Sequence, residues 1–116
     1  GKQPDPHLRS MNEVLGYDIA AKDGDIGHAD DLIVDDVSWR LRYLVVDTRD
    51  WLPGKHVLVA PEWVLDIIWN QEKLVVDLTR EAIKSSPPYD PNSPVDRDYE
   101  KLLHAHYARE GYWRAE

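Results

Sequence analysis

Across residues 13–79 the apolar residues fall in short runs, and the runs are separated by turn-forming segments: Asp23-Gly24-Asp25, Asp35-Asp36-Val37-Ser38-Trp39, Trp51-Leu52-Pro53-Gly54 and Asn70-Gln71-Glu72-Lys73. This punctuation predicts a small antiparallel sheet of five or six strands, closed or nearly closed into a barrel. The strands are expected at 17–21, 26–36, 39–48, 56–60, 66–69 and 74–78. Asp23-Gly24 is a hairpin signal, and Gly27 inside the second strand marks a bulge. Leu32, Ile33 and Val34 read as that strand's buried centre. In the third strand both faces are largely apolar, which places it centrally in the sheet. Ser10 and Glu13 have capping-box spacing, so one helical turn is expected ahead of the first strand.

After residue 79 the pattern changes to helical. Thr79 is placed to cap a short helix through residue 84, stopped by Ser85-Ser86-Pro87-Pro88. Ser93-Pro94, an N-cap followed by proline, opens a second helix running to about residue 109, with Asp96 reinforcing its start. Val95, Tyr99, Leu102, Leu103, His106 and Tyr107 would share one broad apolar face there, and Gly111 would cap the end. The predicted organisation is an N-terminal linker at 1–9, a β-barrel at 10–79 and a helical extension at 80–116.

Composition narrows the function classes. A length of 116 residues allows one domain with one modest core. A net charge of −8 argues against nucleic acid and anionic membrane surfaces, both of which require a basic footprint. The absence of cysteine excludes a disulfide framework, a thiolate metal site and a cysteine nucleophile. No apolar run approaches the roughly 20 residues of a spanning helix, so direct membrane insertion is not expected and the cytoplasm is the expected compartment. Phe is absent while Trp and Tyr are plentiful, and those rings carry polar handles suited to half-buried and interfacial positions.

Candidate chemistry is sparse. Asp23, Asp25, Asp30, Asp31, Asp35 and Asp36 fail the calcium-loop template, because Gly27, His28 and Val34 stand where its Asp/Asn, Gly and Glu belong. They read as turn residues and a solvated strand face, with binding of a divalent cation or small ligand by these acidic hairpins as the alternative. Glu100 and His104 are spaced i, i+4, and a helical ion pair is favoured over a two-ligand metal half-site. His28 and His56 read as surface histidines without a nearby partner. The serines sit at caps and turns, and the glycines form no phosphate-binding loop, so no catalytic residue, cofactor or metal is expected. Trp39, Trp63 and Trp69 read as lids over the barrel ends. Trp51 and Trp113 fit a lid or an interface anchor equally.

Several segments carry a family resemblance: Gly16-Tyr17; Asp23 to Gly27; Asp31 to Asp36; Arg42-Tyr43-Leu44-Val45-Val46-Asp47-Thr48; and Trp51-Leu52-Pro53-Gly54-Lys55. Together they resemble the PRC-barrel domain, the module shared by the cytoplasmic part of the photosynthetic reaction-centre H subunit and the C-terminal domain of a ribosome-maturation factor. The tail resembles that of bacterial stand-alone members, which often carry two tandem copies. The Asp5-Pro6-His7-Leu8-Arg9-Ser10 opening resembles the start of a second copy, which would make this chain half of a longer protein. The resemblance implies a PRC-type barrel used as a protein–protein adaptor and no inherited catalytic set. A homo-oligomer or docking on a second PRC-barrel copy is the expected partnership, and Arg42, Trp51, Leu52, Tyr112 and Trp113 are the expected interface anchors.

Overall fold

The computed structural model describes residues 11–48, 51 and 55–115. Six strands follow in order: β1 (Asp18–Ala21), β2 (Gly24–Val34), β3 (Leu41–Asp47), β4 (His56–Val59), β5 (Val64–Ile68) and β6 (Lys73–Val76). Among the described residues two α-helices follow the sheet, α1 (Arg80–Lys84) and α2 (Arg97–His106), with short 3-10 turns at Pro61–Trp63, Trp69–Gln71 and Tyr112–Ala115. Residues 11–13 form the expected helical turn before β1. Among the described residues no helix is long and apolar enough to cross a membrane.

The protein is mainly β with a C-terminal helix, but the sheet is mixed and open. Its order is β4-β3-β2-β1-β6-β5. β1–β2, β2–β3, β3–β4 and β5–β6 pair antiparallel, whereas β1 and β6 pair parallel, Asp18 opposite Lys73 and Ile19 opposite Leu74. The closed antiparallel barrel expected from the sequence is therefore corrected. Closure would need β4 to pair with β5, and these sequence neighbours stand at opposite edges. Residues 60–63 bridge the two edges, and at about 3.3–3.6 Å per residue so short a link requires the sheet to curl strongly.

Local signals explain most elements. The β1–β2 hairpin turns at Lys22-Asp23, and a bulge separates Ile19↔Gly27 from Ala20↔Asp25. Gly27 is required: its φ is +150°, and a Cβ there would collide with the Asp47 carbonyl. Thr79 caps α1 by accepting from the Ala82 N–H at 3.2 Å. The cap of α2 is Asp96, which accepts from the Tyr99 N–H at 2.8 Å, and not Ser93. The Ser93 hydroxyl is instead donated to Asp90 Oδ2 at 3.1 Å, inside a turn ahead of the helix. The C-terminus of α2 is a Schellman motif: Arg109 N–H bonds the His104 carbonyl at 2.9 Å and Ala108 N–H bonds the Ala105 carbonyl at 3.1 Å. Ala108, at φ +55°, takes the left-handed position expected of Gly111.

The core gathers Ile19, Ile26, Leu44, Val46, Val57, Leu58, Leu74 and Val76 from the sheet, with Ile83 and Leu103 from the two helices. Leu32, Ile33 and Val34 are only half-buried. The reason is length: β1 covers β2 only from Gly24 to His28, so the far end of β2 has a ladder neighbour on one side only. On α2 the inward face is Tyr99, Glu100, Leu103, His104 and Tyr107, while Leu102 is 64% exposed. Of the three expected lids only Trp63 is buried. Trp39 and Trp69 are 52% and 49% exposed, because one closes the β2–β3 turn with φ +59° and the other opens the 3-10 turn beyond β5.

Candidate functional site

The best-defined polar site lies on the seam between β3 and the C-terminal tail. A bulge in β3 makes Arg42 the extra residue between the pairs Val34↔Leu41 and Ile33↔Tyr43, and bulges re-aim side chains in this way. Arg42 donates to Asp35 Oδ2 at 3.2 Å and lies over the Tyr112 ring, 3.7 Å from its centroid. Asp35 also accepts from the N–H groups of Val37 (2.8 Å) and Ser38 (3.1 Å). These backbone bonds, more than Arg42, hold its carboxyl below the ordinary range.

Tyr43 is the centre of the seam. Its hydroxyl donates to Glu100 Oε2 at 2.7 Å and lies 2.8 Å from His104 Nε2. A phenol has one proton, so His104 is the donor in the second bond and carries its own proton on Nε2. Burial pulls the His104 imidazole down from its ordinary value, against the opposing pull of the Glu110 backbone and the Glu100 charge, which favours this neutral form. Nδ1 of His104 makes no hydrogen bond among the described residues. Burial first, and Glu100 second, push the Tyr43 phenol far above the ordinary range.

Glu100, itself buried, takes two further donors on Oε1: the Tyr112 hydroxyl at 3.1 Å and Arg97 Nε at 3.3 Å. Aromatic rings enclose the group. Trp63 and Trp113 meet the His104 ring edge-on, with centroids 5.2 and 5.1 Å away, and Arg97 lies 4.5 Å from the Trp113 centroid. Beside this network a cleft of about 220 Å³ opens, lined by Leu41, Arg42, Ala60, Glu62, Glu110 and Tyr112 among others. The arrangement clamps α2 to β3. It can pass a proton between Glu100 and His104 only through a phenol that does not ionise near neutrality.

Three of the five expected anchors, Arg42, Tyr112 and Trp113, are thus brought together, and their contacts are within the chain. Trp51 stands apart, half-buried, with the Arg80 guanidinium 4.5 Å from its centroid. Leu52 lies outside the described residues. Glu100 and His104 do not form the expected ion pair: both turn inward onto Tyr43. Sequence reasoning missed Tyr43 itself, although a tyrosine inside a largely apolar strand signals that its hydroxyl must meet a buried partner.

The histidines of the sheet also have partners. His28 Nε2 is 3.8 Å from Asp47 Oδ2, and His56 Nε2 is 3.7 Å from Asp30 Oδ2. The other acidic residues are used locally: Asp23 accepts from the Arg80 N–H at 2.9 Å and Asp25 pairs with Lys73 at 3.2 Å. At the opposite edge of the sheet, Met11, Pro61, Val64, Leu65, Ile67 and Trp69, with the carboxylate of Asp66, line an open groove of about 410 Å³. No family model and no curated protein matches the chain.

Proposed function

We propose that this chain is a PRC-type β domain working as a non-catalytic protein–protein adaptor, with a second copy of the same kind of domain as its partner. The observation that carries this reading is the apolar surface on edge strand β5. Leu65 is 59% and Trp69 49% exposed, and both border the open groove. Leu65 is the extra residue of a bulge between Val64↔Val76 and Asp66↔Val75. A bulge and an exposed Asp66 blunt an edge against strand addition, so docking here proceeds through side chains. Two copies that each carry a charge of −8 repel one another, and a groove that is apolar but for Asp66 is the surface on which they meet.

Sedimentation equilibrium over a range of concentrations tests the proposal. A reversible dimer is expected, and Leu65→Lys or Trp69→Ala weakens it by about 2 kcal/mol or more. Leu65 is largely solvated, so Leu65→Lys changes stability by no more than about 0.5 kcal/mol; Trp69 packs edge-on against Tyr17, so its variant is compared at matched folded fraction. Trp51→Ala and Trp113→Ala serve as comparators; dissociation by these two alone would move the interface to the tail. A concentration-independent monomer, alone and with a tandem copy added, refutes the self-association reading.

A further inference from the structure

Three adjacent strands bring a second polar group together. In the β2–β3 ladder His28 stands opposite Asp47, and in the β3–β4 ladder Asp47 stands opposite His56. Directly paired residues share a face of the sheet, so the three side chains form one row, His–Asp–His. Asp30 is the extra residue of the bulge between Ala29↔Val46 and Asp31↔Val45, and its carboxylate joins the same row. One ligand atom from each of His28, Asp30 and Asp47 lies within 4.8 Å of the other two.

The spacing is not that of groups bonded to each other. A His–carboxylate hydrogen bond closes to about 2.7–2.9 Å, whereas these pairs stand at 3.8 Å (His28–Asp47) and 3.7 Å (His56–Asp30). Four ligands held about 2.0–2.1 Å from a tetrahedral ion are separated by roughly 3.3–3.4 Å. Small side-chain movements bring His28, Asp30 and Asp47 to that separation, while His56, 3.7 Å from Asp30, has to swing further in. The donor types, imidazole nitrogen and carboxylate oxygen, suit a borderline first-row cation. One donor, Asp47, is buried and fixed by the strand, while His28, Asp30 and His56 have side chains 36%, 46% and 28% exposed. An ion therefore has an entry path.

We propose that His28, Asp30 and Asp47 form a divalent transition-metal site of the zinc class, with His56 as the fourth donor. The role is separate from self-association on β5, since the site lies on the β2–β3–β4 side of the sheet. Its test is titration of the full chain near neutral pH with Zn²⁺ by calorimetry and with Co²⁺ by visible absorption. Saturable stoichiometric binding is expected, with a cobalt spectrum of low coordination number and a melting temperature that rises with zinc concentration. His28→Ala and Asp30→Asn should each weaken binding by at least about tenfold, and His56→Gln by about tenfold. All three altered positions reach solvent, so urea titration of the metal-free variants should show folds of unchanged stability. Absence of saturable binding overturns the proposal. So does affinity unchanged in both His28→Ala and Asp30→Asn, or equal affinity for Mg²⁺ and Ca²⁺, which would reflect the acidic surface and not this site.

Discussion

Two clusters occupy one face of the same strand and use the same kinds of group differently. Tyr43, Val45 and Asp47 alternate along β3, which sets Tyr43 and Asp47 on one side of it, on the order of 13 Å apart. At Tyr43 a carboxylate and an imidazole close onto a shared hydroxyl at 2.7 and 2.8 Å under a helix and two tryptophans. Around Asp47 the imidazoles of the neighbouring strands stand 3.8 Å (His28 to Asp47) and 3.7 Å (His56 to Asp30) from a carboxylate oxygen. The difference is a lid and a bridging hydroxyl. With both, ionisable groups become cement, because each donor finds an acceptor in a dry place. With neither, the strands hold the groups at spacings suited to an ion.

The largest expected effect ties the second cluster to the sheet. Gly27→Ala places a Cβ against the Asp47 carbonyl at a backbone angle that L-residues avoid. It should cost about 3 kcal/mol or more in urea denaturation, and it should spoil the His28–Asp47 pairing with it. A loss under about 1 kcal/mol would mean that β2 and β3 can separate there freely.

Tyr43→Phe breaks the first cluster. Removing the hydroxyl leaves buried Glu100 and His104 short of a partner, with an expected destabilisation of about 2 kcal/mol. His56→Gln, at the half-open cluster, should fall within about 0.5 kcal/mol of wild type without metal. Equal losses at the two positions would erase the distinction drawn between them.

The smallest effect is a pH step. Because burial holds His104 below its ordinary 6.5, the unfolded chain takes up a proton there before the folded one. The resulting stability is fully present above that value and is lost as pH falls below it, levelling once the folded imidazole protonates. Asp35, Asp77 and Asp90 are also lowered, from 3.8, so their contributions disappear only in stronger acid. Melting temperature measured from about pH 8 to pH 5 should fall in wild type and flatten in His104→Gln. Parallel slopes would remove His104 as the cause.

The legible part of the molecule was the local part. Asp23-Gly24 gave its hairpin, Asn70 to Lys73 separated β5 from β6, and Thr79 capped its helix, because each signal acts over a few residues. The seam was legible only in fragments. Arg42, Tyr112 and Trp113 were singled out as residue types that anchor interfaces, and the structure brings the three together over β3. Glu100 and His104 were noticed for their spacing, which states that two groups share a helical face but not which face turns inward. Trp39 and Trp69 misled because a large ring favours burial on average, while a turn tip offers little to bury it against, for Trp69 the edge of Tyr17.

By itself the sequence determined six short strands, their turns and a capped tail, since period, turn chemistry and capping are properties of neighbours along the chain. Tertiary structure decided which strands pair. It set β1 parallel to β6, left the sheet curled but open, and rotated Glu100 and His104 onto Tyr43. It also brought His28, Asp30, Asp47 and His56 from three strands into one row. Those outcomes depend on the register of strands far apart in sequence, where a shift of one residue sends every side chain to the other face.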